Sequence, residues 1–136
     1  MTPHTILLAD DEAHITHVVG MKLRASGYAT VVARDGEEAL TLAFQHRPNL
    51  VITDLQMPYM SGIELATRLR ADERTAETPV LMLTARGYVL DENELNATNI
   101  RAVLSKPFSA RDILRRVEEV LGRGAETETA RLRNVA

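Results

Sequence analysis

Five short apolar runs alternate with segments of helical period, and each run ends in a polar or charged residue at its C-terminal edge. Ile6–Ala9 leads into Asp10, Asp11 and Glu12, and Ala29–Ala33 into Arg34 and Asp35. Leu50–Thr53 delivers Asp54, Val80–Leu83 ends at Thr84, and Ala102–Leu104 leads through Ser105 to Lys106. The runs are rich in β-branched residues and leucine and alternate little, as strands do when both faces are covered. Between them, Ile15, Val18, Val19 and Leu23 form one helical stripe, and Ala39, Leu40 and Ala43 a second. A third helix opens at Ser61-Gly62-Ile63-Glu64, a Ser-x-x-Glu capping box, and turns Leu65, Ala66 and Leu69 inward. The last opens at Ser109 and carries Ile113, Leu114, Val117 and Leu121 on one face. The segment from Asp91 to Asn99 has an acidic start, three asparagines and few apolar anchors, and is expected to be short and loosely packed. Five alternations of strand and helix predict an α/β, doubly wound fold with a five-stranded parallel sheet and right-handed crossovers.

In such a sheet, ligands bind outside the carboxyl ends of the strands, where strand order reverses. The pattern therefore brings three carboxylates (Asp10, Asp11, Asp54), the Thr84 hydroxyl and the Lys106 ammonium toward one small pocket. Three crowded carboxylates are costly unless a cation sits among them. All-oxygen ligation suits Mg²⁺, which takes one or two carboxylates, a phosphate oxygen and waters. With the cation in place, Asp54 is able to act as a carboxylate nucleophile and form an aspartyl phosphate. Lys106 then offers a point charge to the phosphoryl oxygens and Thr84 a donor.

Composition narrows the remaining choices. A chain of 136 residues suits one domain, and 45% apolar residues suffice to cover both faces of a sheet. A net charge of −3 shows no basic surface for nucleic acid or anionic lipid, and no apolar run approaches membrane-spanning length. The absence of cysteine excludes disulfides, thiolate metal sites and cysteine nucleophiles. A cytoplasmic location is expected. His14 and His17, one turn apart and without a third ligand, read as solvated helix residues. No glycine-rich phosphate loop of GxGxxG or Walker type occurs. The polar residues 123–136 read as a tail or linker stub, leaving 1–122 as the domain.

Asp10-Asp11, Asp54-Leu55-Gln56-Met57-Pro58, Thr84-Ala85 and Lys106-Pro107-Phe108 together resemble the receiver domain of two-component response regulators, of the stand-alone, chemotaxis-regulator-like kind, over roughly residues 5–121. The resemblance implies the sheet order 2-1-3-4-5. It also implies phosphorylation of Asp54 by a histidine kinase or phosphotransfer protein. Mg²⁺ would be held by Asp11, Asp54 and the Gln56 backbone carbonyl, with Asp10 acting through water. Thr84, Lys106 and the backbone of Gln56 and Ala85 would contact the phosphoryl group, and the small Ala85 would leave it room. The Lys106–Pro107 bond is expected to be cis.

Three features depart from the family pattern. Val103 stands where an aromatic residue usually precedes the lysine by three. Asn99-Ile100-Arg101-Ala102 replaces the usual Gly-Ala before the fifth strand, altering that turn. Arg86 places a cation near the pocket mouth, either facing solvent or guarding the phosphoryl group. The function expected is a phosphorylation-controlled switch, a phosphoacceptor rather than an enzyme acting on other substrates. Its output is expected to be protein binding, as a monomer or weak homodimer, without direct contact to nucleic acid or membrane. The alternatives are a receiver cut from a longer regulator and an aspartyl-phosphate hydrolase. Gln56 disfavours the hydrolase, because that chemistry wants a second acid two residues after the nucleophile.

Overall fold

The computed structural model describes residues 4–85 and 88–122. Its elements follow the alternation in the sequence: β1 (Thr5–Ala9), α1 (Ala13–Ala25), β2 (Ala29–Ala33), α2 (Gly36–His46), β3 (Leu50–Asp54), α3 (Gly62–Ala71), β4 (Val80–Thr84), α4 (Glu92–Ala97), β5 (Ile100–Ser105) and α5 (Ala110–Leu121). The strands pair in parallel in the order β2-β1-β3-β4-β5, as expected.

Strand residues point alternately to the two faces, so the sheet divides the apolar residues into two cores. Leu7, Val51, Val80 and Met82 meet Ala39 and Ala43 of α2 and Leu65, Ala66 and Leu69 of α3. Ile6, Leu8, Ile52, Leu81 and Leu83 meet Val19 and Leu23 of α1 and Ile113 and Val117 of α5. The central strands β3 and β4 are buried at every position, whereas the edge strand β2 is not.

Several local expectations need correction. Val18 is 42% exposed, while Thr16 and Gly20, on the opposite side of α1, are buried along with Val19 and Leu23. At α3 only half of the capping box forms: Ser61 accepts from the Glu64 N–H, but the Glu64 carboxylate lies 3.5 Å from Arg68 one turn on. The full boxes are at α5, between Ser109 and Asp112, and at α4, between Asp91 and Glu94. α4 is six residues long and buries none of them. β5 starts at Ile100 rather than Ala102, and the replaced turn appears as a register shift: Val80 pairs with Ile100 but Leu81 with Ala102, leaving Arg101 as the extra residue.

Candidate functional site: an acidic cleft at the strand ends

Neighbouring strands fix the positions of the acids. Ala9 lies opposite Thr53 in the β1–β3 pairing, so Asp10 and Asp54 leave the sheet side by side. One carboxylate oxygen from each of Asp10, Asp11 and Asp54 lies within 4.8 Å of the others. α3 begins against this point: the Gly62 N–H donates to the Leu55 carbonyl at 2.8 Å, and a Cβ on Gly62 would collide with the Asp54 backbone carbonyl and with Met82 Sδ. No larger residue fits there without moving the acid. On the other side, the Lys106 N–H donates to the Thr84 carbonyl at 2.9 Å, which seats the lysine at the end of β4. The Lys106–Pro107 bond is cis.

Asp11, Glu12, Asp54, Leu55, Gln56, Ala85 and Lys106 line an open cleft of about 240 Å³. Asp10 lies deeper, almost buried, and accepts from the Glu12 N–H at 2.9 Å. Burial is the main reason its pKa rises to about 6; the Glu12 N–H opposes the rise, and the charges of Asp54, Glu12 and Asp11 add to it. The Asp54 carboxyl is likewise pushed up, chiefly by burial and less by Asp11. Lys106 and the N–H groups of Leu55 and Gln56 pull it back down. The cleft therefore holds more negative charge than it can keep comfortably without a cation.

The donor set fits Mg²⁺. Opposite ligands of an octahedral Mg²⁺ stand about 4.2 Å apart at its short oxygen distances, so carboxylate oxygens within 4.8 Å of one another can share one ion, directly or through its waters. Thr84 behaves differently. It is fully buried, does not line the cleft, and among the described residues its Oγ1 has no hydrogen-bond partner. Such an orphan costs roughly 1–3 kcal/mol, which an incoming anionic oxygen would offset.

His14 and His17 are exposed on α1. Val103 is half-buried and packs on the α2/α3 core. Arg86 lies outside the described residues, as does the tail 123–136. Glu12, to which the sequence pattern gives no role, also lines the cleft, with a carboxylate oxygen 3.9 Å from the Lys106 ammonium. The only signal for it was its place as the third consecutive acid after β1.

A doubly wound 2-1-3-4-5 sheet with acids and a lysine gathered at the strand ends defines a class of signalling domain, and the comparisons agree. Residues 6–118 match the response regulator receiver domain, and the chain belongs to that family. It is 37% identical over 125 residues to the phosphate regulon transcriptional regulatory protein PhoB of Pseudomonas aeruginosa. That alignment takes in 90% of this chain and 54% of PhoB, so the chain spans about half the length of this relative. Among solved structures, the chemotaxis response regulator CheY4 of Vibrio cholerae superposes with a TM-score of 0.80 at 33% identity, covering 88% of this chain and 99% of that one. The receiver domain of a Pseudomonas aeruginosa sensor histidine kinase, described with a magnesium ion coordinated in its active site cleft, gives 0.78 at 26% identity, covering 89% and 99%.

Proposed function

We propose that this receiver domain is a switch set by phosphorylation of Asp54, with a phosphohistidine of a histidine kinase or phosphotransfer protein as donor. The observation that carries the reading is the grouping of three carboxylate oxygens within 4.8 Å, with Asp11 and Asp54 lining the same cleft as Lys106. An Asp54 carboxylate oxygen attacks phosphorus, the P–N bond to the donor imidazole breaks, and its electron pair stays on the imidazole nitrogen, which takes a proton from solvent. Asp11, Asp54 and the Gln56 carbonyl are the groups to hold Mg²⁺, with Asp10 reaching it through water. When bound, Mg²⁺ neutralises the crowded carboxylates and the oxygens of the transferred group. Lys106 and the Ala85 backbone N–H face the incoming oxygens, and the orphaned Thr84 hydroxyl turns to donate to one of them.

The output follows from that movement. Thr84 ends β4, the strand that precedes α4 in the chain, and α4 buries no side chain. The surface of α4, β5 and the Arg111/Arg115 side of α5 is where a protein partner would read the change. Residues 1–122 form the receiver in this reading, 123–136 are a tail or linker stub, and the protein works in the cytoplasm as a monomer or weak homodimer. No described helix is long and apolar enough to cross a membrane.

The test is labelling with a small acyl phosphate and Mg²⁺. Asp54→Asn should abolish it, and Asp11→Asn should weaken Mg²⁺ binding, followed by titration. Full labelling of Asp54→Asn would remove the assigned nucleophile.

A further inference from the structure

Lys106 has a second acid within reach, and it is the nearer one. Among the described residues its ammonium forms an ion pair with Glu12, at 3.9 Å, and none with Asp54. Glu12 is placed for this by the start of α1. It is the N-cap residue, a position that favours Ser, Thr, Asp or Asn because a short side chain folds back onto the helix N–H groups. The Glu12 side chain makes no such bond. Its backbone is nevertheless fixed, with its N–H on Asp10 Oδ1 and its carbonyl accepting from Ile15 and Thr16. A firmly held backbone with an uncommitted, half-exposed carboxylate at the cleft wall is an arm that reaches toward Lys106.

We propose that Glu12 is a positioning residue that holds Lys106 away from Asp54 until an incoming phosphoryl group outcompetes it, and that it thereby slows phosphorylation by small anionic donors. The proposal rests on the assignment of Asp54 as phosphoacceptor. Two effects act in the same direction. The lysine is shared with a competing carboxylate, and that carboxylate repels a negatively charged donor entering the cleft. Both groups are about half exposed, so the ion pair commands a modest factor that salt erases. A protein donor that covers the cleft mouth and strengthens local electrostatics is better able to pull Lys106 across, so Glu12 sets a preference for protein donors over free acyl phosphates.

The experiment compares wild type and Glu12→Gln for the rate of Asp54 labelling by acetyl phosphate at saturating Mg²⁺, at low and at high ionic strength. The variant should be roughly two- to fivefold faster at low salt, and the two rates should converge at about 1 M salt. A structural loss at the α1 N-cap would not vanish with salt. In the Mg²⁺-free, unphosphorylated protein, the NMR signals of the Lys106 ε-methylene should shift in Glu12→Gln and, by a smaller amount, in the shorter Glu12→Asp. A Glu12→Gln rate at or below wild type at low salt, a difference that persists at high salt, or an unmoved Lys106 signal would each overturn the proposal. If wild type itself takes no label, the phosphoacceptor reading fails instead, and the Lys106 signal still decides whether Glu12 holds the lysine.

Discussion

α3 and α4 flank the same strand, β4, yet they are attached by different forces. α3 buries Gly62, Leu65, Ala66 and Leu69, and its first residue packs on the Asp54 backbone. α4 buries nothing and is fastened by polar contacts: the Asp91/Glu94 capping box, the Tyr88 hydroxyl donating to the Glu94 carboxylate at 3.0 Å, and the Thr98 hydroxyl donating to the Glu94 carbonyl at 2.6 Å. Apolar burial is worth a few kcal/mol per large side chain, whereas solvent-accessible hydrogen bonds net about 1 kcal/mol each. The firmly packed helix therefore starts against Asp54, whereas the helix that follows β4 in the chain is held by polar contacts alone. Local stability differs within one small domain because different chemistry holds each part.

The largest expected effect tests the fixed side. Leu65→Ala, at a fully buried position, should cost about 2–5 kcal/mol in urea unfolding. Leu95→Ala, on the exposed face of α4, should change stability by less than about 0.5 kcal/mol. Comparable losses would erase the contrast between the helices.

The acid cleft beside α3 supplies the next effect. Burial raises the folded-state pKa of Asp10 from the ordinary carboxylate value to about 6. The contribution of this group is thus fully present below the unfolded pKa and is lost as pH rises through about 6. The loss is on the order of 2–3 kcal/mol. In Mg²⁺-free buffer Asp10→Asn should be more stable than wild type at pH 7.5, by up to this amount, and no more stable near pH 4. Added Mg²⁺ should narrow the gap at pH 7.5. A variant no more stable than wild type at pH 7.5 would mean that Asp10 carries no such penalty.

A smaller effect sharpens the picture of α4. Tyr88→Phe removes the hydroxyl that reaches Glu94 and should raise amide exchange in residues 91–98 by about fivefold, equivalent to roughly 1 kcal/mol. Global unfolding should hardly change. Slower or unchanged exchange there would show that the tyrosine is not a tether. The most diffuse effect is the response to a phosphoryl mimic with Mg²⁺. Moving a two-state element from 1:99 to 99:1 takes about 5.5 kcal/mol, and one hydrogen bond from Thr84 to a charged group supplies roughly 1–3. A partial shift across residues 85–104 is expected, completed by partner binding. Changes confined to Asp10, Asp11 and Asp54 would rule out this output route.

Much of this arrangement was legible in advance because it depends on residue type and order alone. Runs such as Val80–Leu83 have nowhere to go but between two layers of helix, and the strand ends then deliver Asp10, Asp54 and Thr84 to one edge. What escaped depends on a choice between near-equal partners. Glu64 was equally able to close the box on Ser61 or to pair with Arg68, and it pairs with Arg68. Val18 belongs to the apolar stripe by spacing, but α1 is rotated so that Thr16 and Gly20 face inward. The extra residue at Arg101 follows from how Asn99 is pinned, its side-chain amide donating to the Glu77 carbonyl and its own carbonyl accepting from Val80. Glu12 was hidden for a similar reason: nothing in a run of three acids says which one turns toward a lysine 94 positions later.

The lack of any buried side chain in α4 also bears on how this domain can change over generations. In α3, by contrast, a new residue at Gly62, Leu65, Ala66 or Leu69 must satisfy a packed interior before it can be tried for anything else. The six positions of α4 carry no such toll beyond keeping their cap and their tyrosine. Substitutions there can therefore accumulate one at a time at little cost to the fold, while the strand ends keep Asp10, Asp11 and Asp54 where they are.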